Sequence, residues 1–459
     1  MKPLINKLSM RTFPIGGIHP HDNKEWSKDK AIEVLELPDE AKCPMVQHIG
    51  SPATPVVQKG DKVLTGQLIG KAEGFVSANI HAPISGTVTA VDMFPNGQGQ
   101  RRMMVVIKRE GDEWLESIDR STEHKRECTL TPEEIVAKVK EAGIVGLGGA
   151  QFPTHVKLSI PAGQKAELVI INGVECEPYL TSDYRTMLER AEMVLTGTEI
   201  VMRAVGVERA VIGVENNKPD AIKHLREVIA RDNYRGIEVM PLKMRYPQGG
   251  EKQLIAAVTG RQVAPPPALP ISVGAVVCNV STAVAIYEAV QKNKPLIERI
   301  VTVTGKNLNS THNYLARFGS SASRFLELAG LPDGDVKLLN GGPMMGRSVV
   351  DVTAPLIKGC SGLTVLTGAE AARGKELSCI KCGKCVEVCP MGLEPYLLSK
   401  LAKLQKWDMA EEHNNVDCIE CGCCSYTCPS YLPLLDYIRI GKQTVSTIVR
   451  ARAAANNKK

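Results

Sequence analysis

The chain has 459 residues and a mass of 49.7 kDa, more than one hydrophobic core usually holds, so its length predicts about two to four domains. Hydrophobic residues make up 43% and charged residues 23%, which excludes a largely disordered or fibrous protein. A net charge of +6 and only 4% aromatic residues argue against nucleic acid as the partner, because that role favours basic surfaces and aromatic stacking platforms.

The N-terminus shows no sign of export. Its first residues, MKPLINKLSMRTFPIGG, lack the apolar stretch of a signal peptide. The longest run without charge, residues 262–287, contains four prolines and predicts a loop, a buried strand and a turn, not a membrane-spanning helix. We therefore expect a cytoplasmic chain that reaches a membrane only through its partners.

The first predicted domain, residues 1–125, is a β module after an N-terminal extension. Short alternating runs over residues 31–110 are broken by Gly, Pro and Asn about every ten residues, as in a sandwich or barrel. The stretch GDKVLTGQLIGKAEGFVSANIHAPISGTVTAV resembles the biotinyl/lipoyl barrel-sandwich fold. That resemblance implies a cofactor-bearing lysine on a hairpin, where this chain has Phe75. We predict that the module carries no cofactor and is structural.

Residues 126–297 predict an α/β domain with a mostly parallel sheet, because helices and strands alternate. Thr131-Pro132-Glu133-Glu134 forms a capping box that starts the first helix, and Gly143 ends it. The further predicted elements are a strand from Leu168, helices near residues 184–205 and 218–231, and strands at Ala210–Val214 and Ile237–Met240.

Residues 298–366 predict a small β-grasp-like module, with the strand ERIVTVTG, the helix SSASRFLELAG and the strand VKLLNGG. Residues 367–375 are rich in Gly and Ala and predict a linker into the next unit, residues 367–441. The last eighteen residues, 442–459, hold five basic and no acidic residues. They predict a solvated basic tail, with anionic lipid or an acidic partner as the alternative.

Nine of the fourteen cysteines fall between residues 379 and 428. They form two C-x2-C-x2-C-x3-C-P runs, which are typical of bacterial ferredoxins, and in such runs the fourth cysteine ligates the other cluster. We predict a helical two-[4Fe-4S] unit on this basis. The ligand sets are Cys379, Cys382, Cys385 and Cys428 for one cluster, and Cys389, Cys418, Cys421 and Cys424 for the other.

Two zinc sites are the alternative, since thiolates also bind zinc. Zinc modules usually pair two CxxC units across a longer loop, so the spacing favours iron–sulfur clusters. Cys423 lies outside the register and is predicted to be free. The remaining cysteines are predicted to be small buried hydrophobic residues: Cys43, Cys128, Cys176, Cys278 and Cys360.

No GxGxxG sequence follows a strand, so the standard dinucleotide fingerprint is absent. Three glycines occur instead in Gly146-Leu-Gly148-Gly149, where backbone could lie against a flat ring or a phosphate, or simply form a tight turn. Three further segments favour a ligand: Asn172-Gly-Val-Glu175-Cys-Glu177-Pro178, Tyr246-Pro-Gln-Gly249-Gly250-Glu251 and Cys278-Asn279-Val-Ser281-Thr282.

With these segments and in this domain order, the chain resembles the RnfC family, the C subunit of the Rnf ion-translocating electron-transport complex. Its middle part is similar to the NADH-binding flavoprotein subunit of respiratory complex I. The resemblance implies non-covalent FMN in contact with Gly146, Gly148, Gly149, Lys157, Asn172, Glu175, Gly249, Asn279 and Thr282. It places Phe152, Glu177 and Glu251 near the nicotinamide nucleotide.

The sequence departs from the complex I relative at three positions. Gly250 replaces a second acidic residue, Cys278 replaces one of two adjacent asparagines, and Leu269 replaces an aromatic residue beside the adenine. All three bear on the nucleotide contacts more than on the flavin contacts.

The resemblance implies a peripheral subunit on the cytoplasmic face of the membrane, in a complex of the ferredoxin:NAD+ oxidoreductase type. Hydride exchange between NAD(H) and FMN needs positioning, so no catalytic side chain is expected. Single electrons would pass through the clusters to or from membrane partners coupled to Na+ or H+ transport, with ferredoxin an indirect partner. The alternatives are a soluble cobalamin reductase, disfavoured by domain order, and a cluster-bearing adaptor whose flavin site is empty.

Overall fold

The computed structural model describes residues 10–456. The expectation about an export signal concerns residues 1–17, most of which lie outside this range, as do Lys458 and Lys459 of the predicted tail. Among the described residues, no helix combines the length and apolar character needed to cross a bilayer. The described part of the chain begins with a segment that contacts the later units and leads into β1 (Ile32–Val34).

The barrel-sandwich predicted for the N-terminal region is confirmed as two small facing sheets, ordered β2-β8-β7-β4 and β3-β5-β6. Apolar residues from both sheets, among them Ile69, Ile80 and Val105, have no exposed surface or almost none and form one core between them. Phe75 lies between β5 and β6 and is 62% exposed. The strands are β2 (Glu40–Pro44), β3 (Thr54–Pro55), β4 (Lys62–Val63), β5 (Leu68–Lys71), β6 (Ile80–His81), β7 (Gly86–Pro95) and β8 (Arg101–Arg109).

His81, at the end of β6, makes the stability of this unit sensitive to acid. Burial lowers the pKa of His81 to about 3, and the nearby Lys358 ammonium contributes to this lowering. As the pH falls from 6.5 toward 3, the unfolded chain therefore binds a proton that the folded chain does not. Folded-state stability is lost over this window at up to about 1.4 kcal/mol per pH unit.

We expect His81→Leu to reduce the acid sensitivity of unfolding. The shift in melting temperature between pH 7.5 and pH 5 should be smaller in the variant than in the wild type. His224→Leu, on a half-buried position of the α/β domain, is the control and should melt with the wild-type pH dependence. Equal shifts in all three proteins would show that His81 does not cause the acid sensitivity.

The middle of the chain forms a four-stranded parallel sheet in the order β11-β10-β9-β12, flanked by helices. Its central strands are buried on both faces, as the apolar run Leu168–Asn172 predicts. The elements are α1 (Pro132–Glu141), α2 (Thr154–Leu158), β9 (Leu168–Asn172), α3 (Ser182–Glu189), α4 (Ala191–Val205), β10 (Ala210–Glu215), α5 (Pro219–Arg231), β11 (Ile237–Leu242), α6 (Glu251–Thr259), β12 (Ala275–Asn279) and α7 (Val280–Lys292).

The prediction of a turn after the buried strand β12 is wrong, because α7 begins there. The Asn279 side chain accepts hydrogen bonds from the backbone N–H groups of Ser281 and Thr282, which caps the helix. The three alanines of α7 then favour the helix.

The third unit is a mixed six-stranded sheet with one helix, over the residues predicted as β-grasp-like. Its strand order is β1-β14-β13-β17-β15-β16, so the N-terminal β1 supplies an edge strand, parallel to β14. The elements are β13 (Glu298–Thr304), β14 (His312–Arg317), α8 (Ala322–Ala329), β15 (Val336–Asn340), β16 (Arg347–Ser348) and β17 (Gly362–Thr367).

The cysteine-rich unit is helical, as predicted, and includes most of the segment interpreted as a basic tail. Its last helix runs to residue 456 and buries Val445 against Leu401 and Ala410. The predicted solvated tail is therefore wrong in its first part, because an apolar stripe at helical spacing packs on the unit. The helices are α9 (Lys384–Glu387), α10 (Pro395–Lys403), α11 (Trp407–Glu412), α12 (Cys423–Tyr426) and α13 (Leu434–Asn456).

Candidate functional site

The carboxyl ends of β9 and β12 lie side by side at one edge of the parallel sheet, and we call this edge the crevice. Asn172 and Asn279 end these two strands and lie opposite each other in the register. β10, the next strand in the chain, pairs with β9 on one side, and β12 pairs with β9 on the other side. Ligands of open α/β sheets bind at such a switch in strand order, so the fold itself selects this crevice.

The glycine-rich loop lies against the start of α7 in this crevice. The Leu147 N–H donates to Thr282 Oγ1 at 2.9 Å, and the Gly146 N–H donates to the Phe152 carbonyl at 2.9 Å. A Cβ on Gly148 would lie 3.0 Å from Asn279 Cβ, whereas one on Gly149 would meet nothing within 4 Å. The loop thus presents exposed backbone beside a helix N-terminus, which suits a phosphate or a flat ring.

Lys157 and Glu251 form an ion pair between α2 and α6. Lys157 Nζ lies 2.7 Å from Glu251 Oε1 and donates to the Val277 carbonyl on β12 at 3.2 Å. Burial alone would lower the pKa of Lys157, but the Glu251 carboxylate more than offsets this and raises it. The structure therefore brings together a residue predicted to contact FMN and one predicted to lie near the nucleotide.

The loop after β9 is held by its own side chains. Asn172 Nδ2 donates to the Gly249 carbonyl at 2.8 Å, which joins two of the predicted flavin segments. Glu175 accepts from the Asp183 N–H at 2.7 Å and so caps α3. Burial, with the neighbouring Asp183, raises the pKa of Glu175 to about 7, although Lys24 at 3.8 Å acts to lower it.

The structure places the Glu177 carboxylate against the third unit. Its Oε1 accepts from the backbone N–H groups of Met344 at 2.6 Å and Met345 at 3.0 Å. A Cβ on Gly342 would lie 2.2 Å from Glu177 Cγ, so this turn fits closely around the side chain. The contact of Glu177 with a nucleotide remains a prediction carried by the resemblance.

The three residues that depart from the complex I relative lie in different surroundings. Gly250 is the N-cap of α6, and a Cβ there would lie 2.7 Å from Gln253 Oε1. Cys278 is buried on β12, and burial raises the pKa of its thiol to about 11. Leu269 is 58% exposed on the loop before β12.

Sequence reasoning missed four charged residues that support the crevice, the half-buried Asp183 and three buried cations. Asp183 accepts from Asn279 Nδ2 at 2.6 Å and from Ser281 Oγ at 2.7 Å. The other three donate to backbone carbonyls of the site loops: Arg299 to Leu147 at 3.2 Å, Lys218 to Val174 at 2.7 Å, and Lys24 to Glu177 at 3.1 Å. Buried cations far away in the chain carry no local motif, so spacing offered no signal for them.

The two cysteine motifs repeat the same backbone. Lys381 and Glu420 have φ 58°, and the glycines two residues later, Gly383 and Gly422, have φ 76° and 80°. One-turn helices follow at equivalent positions in both motifs, α9 and α12. Such paired loops direct consecutive backbone N–H groups inward, as anion and cluster sites require.

One of the two predicted ligand sets lines a small cavity. It is lined by Cys389 from the first motif together with Cys418, Cys421 and Cys424 from the second. Cys423 also borders it, with Sγ 4.0 Å from the Tyr246 carbonyl. The donor set and the cavity fit an iron–sulfur cluster ligated across the two motifs. In the other set, Cys379 and Cys382 are exposed, and Cys385 and Cys428 are half-buried.

The cavity lies against the loop that carries Gly249. The Tyr246 hydroxyl donates to the Cys421 carbonyl at 2.7 Å, and Gln253 Nε2 donates to the Pro390 carbonyl at 3.4 Å. Cys176 packs beside Tyr246, and its Sγ accepts from the Gly249 N–H at 3.3 Å. The crevice and the cavity are therefore separated by one layer of residues.

Three family models match: the RnfC barrel sandwich hybrid domain over residues 12–112, the Nuo51 FMN-binding domain over 139–288 and the 4Fe-4S dicluster domain over 378–431. The predicted FMN and iron–sulfur units, and their order, are confirmed by these matches.

Curated relatives match over most of the chain. The C subunit of the proton-translocating ferredoxin:NAD(+) oxidoreductase complex of Clostridium ljungdahlii is 45% identical and covers 92% of both chains. The C subunit of the Na(+)-translocating ferredoxin:NAD(+) oxidoreductase complex of Acetobacterium woodii is 44% identical, over 94% of this chain and 96% of that protein. The C subunit of the ion-translocating oxidoreductase complex of Rhodobacter capsulatus is 42% identical, over 85% and 75%.

Proposed function

Because the chain belongs to the RnfC family, which supplies the C subunit of Rnf-type ion-translocating oxidoreductase complexes, we propose that it exchanges electrons between NAD(H) and the other members of such a complex. In this role it is a peripheral oxidoreductase subunit on the cytoplasmic face of the membrane. Its partners would couple electron flow between ferredoxin and NAD+ to the movement of Na+ or H+.

The crevice residues would hold FMN without a covalent bond. The loop of Gly146, Gly148 and Gly149 offers backbone for close approach, and Asn172, Asn279 and Thr282 fix the two strand ends that frame it. Lys157 supplies a half-buried cation at the crevice, where it is paired with Glu251. When bound, FMN exchanges a hydride with NAD(H) on one side and single electrons with the clusters on the other.

The observation that carries the proposal is the contact between the crevice wall and the cluster ligands. Tyr246 belongs to the loop of Gly249 and donates to the Cys421 carbonyl at 2.7 Å. The cluster held by Cys389, Cys418, Cys421 and Cys424 would therefore be the nearer one to FMN. The set with exposed Cys379 and Cys382 would face the partner.

The domain order disfavours the cobalamin reductase alternative, because the barrel-sandwich precedes the FMN-binding unit here. The adaptor with an empty flavin site predicts that the purified protein binds no FMN. An absorption spectrum separates the adaptor from the proposed oxidoreductase, since flavin bands differ from those of the clusters.

We expect the purified chain, with reconstituted clusters and added FMN, to reduce an artificial electron acceptor with NADH. The same preparation without FMN should contain no group that NADH reduces, so the artificial acceptor should be reduced only at the background rate. Failure to bind FMN, or failure of NADH to reduce the bound flavin, would contradict the proposed function. If NADH reduces the bound flavin, copurification of the chain from native membranes identifies its partner subunits.

A further inference from the structure

The N-terminal strap, residues 11–23, runs between the cavity lined by Cys389 and the loop of residues 243–250, which we call the flavin loop. On one side, the Gly17 N–H donates to the Val388 carbonyl at 2.8 Å, next to Cys389. On the other side, Ile18 and Tyr246 exchange two backbone hydrogen bonds of 2.9 Å each. Adjacent residues of the strap thus bind both walls of the junction.

Gly16 allows the closest approach in this junction. A Cβ on Gly16 would lie 2.5 Å from both the carbonyl carbon and the oxygen of Cys389, and 2.7 Å from the nitrogen of Pro390. These are backbone atoms, so they cannot move aside as a flexible side chain could. Cys389 is the one cysteine of the first motif that lines the cavity of the nearer cluster. The strap therefore touches the ligand that crosses between the motifs.

Arg245 fixes the strap to the flavin loop. Its Nη1 donates to the Phe13 carbonyl at 2.8 Å, its Nη2 donates to the Gly16 carbonyl, and its guanidinium lies 4.4 Å over the Phe13 ring. Farther along, the Tyr179 N–H donates to the Asp22 carbonyl at 2.8 Å. The strap is thus anchored on the α/β domain before and after its contact with Cys389.

We propose that the N-terminal strap sets the separation between the flavin crevice and the nearer cluster, with Gly16 as its positioning residue. The inference rests on the proposed function, because it concerns electron transfer between these two centres. A longer separation would slow this transfer without changing hydride exchange at the crevice.

The test compares Gly16→Ala with Gly206→Ala in the full-length protein with both clusters and FMN. Gly206 has φ +68°, close to the +67° of Gly16, but a Cβ there would meet nothing within 4 Å. Both variants place alanine at nearly the same positive φ, and only Gly16→Ala pushes on Cys389. Three readouts are measured: flavin reduction by NADH, cluster reduction after photoreduction of the flavin, and hydrogen exchange of the Gly17 and Ile18 amides.

We expect Gly16→Ala to reduce its flavin with NADH at the wild-type rate and its cluster several-fold more slowly, because the rate of electron transfer falls as the separation between two centres grows. The Gly17 and Ile18 amides should exchange faster. Gly206→Ala should match the wild type in all three. Wild-type cluster reduction in a Gly16→Ala protein whose amides exchange faster would overturn the proposal.

Two further outcomes are informative. If Gly16→Ala loses iron, the rate of cluster reduction is measured in Arg245→Met instead. Slower cluster reduction in Arg245→Met supports the proposal, and a wild-type rate overturns it. If NADH does not reduce the wild-type flavin, the proposed function fails. The photoreduction experiment still tests the strap in that case, because light replaces NADH as the source of electrons.

Discussion

Cys389→Ala is expected to remove the cluster nearer the flavin and leave the other one in place. Cys389 lies in the first motif but lines its cavity with Cys418, Cys421 and Cys424 of the second. The variant should therefore contain about half the iron and sulfide of the wild type. NADH should still reduce its flavin, whereas electron transfer to the remaining cluster should fall to background.

Double variants separate crossed ligation from ligation within each motif. If the ligands cross, Cys389→Ala combined with Cys418→Ala loses no more iron than either change alone, because both disable one cluster. Cys389→Ala combined with Cys379→Ala should lose nearly all iron. The opposite pattern would contradict crossed ligation, and retained zinc in place of iron would favour the zinc alternative.

Cys423→Ala is the matched control for this series. Cys423 is fully buried between two predicted ligands, and its Sγ faces the Tyr246 carbonyl at 4.0 Å. As a residue outside the ligand register, it should be replaceable with full iron content. Loss of iron in Cys423→Ala would show that it ligates a cluster and that the register is wrong.

The sequence predicted what short-range spacing controls. The capping box at Thr131 and the strands of the barrel-sandwich depend on neighbours within about ten residues, and both are present in the structure. The two cysteine runs also fold into equivalent loops and one-turn helices, whereas their ligand sets stay a prediction. The apolar stripe of α13 is also present in the sequence, but the basic residues of the segment 442–459 were used instead, and these predicted a solvated tail.

The contacts that assemble the units could not be predicted in this way. The strap bonds to Tyr246 and Val388, which lie more than two hundred residues later in the sequence. Lys24 donates to the carbonyl of Glu177, which lies 153 residues later. Such contacts depend on how separately folded units dock, which no local pattern encodes. The two strap glycines were the available signal, because paired glycines often mark close backbone approach.

Lys157→Met is expected to weaken FMN binding by about 10- to 100-fold. Lys157 is the cation that the structure places in the crevice, bonded to Glu251 and to the Val277 carbonyl. A hydrogen bond from a charged donor contributes about 1.5–3 kcal/mol, which corresponds to this loss of affinity. Quenching of flavin fluorescence during titration of the FMN-free protein measures the dissociation constant.

Two variants show whether the loss belongs to the crevice cation. Lys165→Met removes an exposed lysine of the loop before β9 and should bind FMN as the wild type does. Glu251→Gln keeps Lys157 and frees it from its carboxylate, so it should retain FMN binding while the Michaelis constant for NADH rises. Wild-type affinity of Lys157→Met for FMN would contradict this prediction. Lys157 would then serve only to hold Glu251, and Lys157→Met and Glu251→Gln should raise the Michaelis constant for NADH equally.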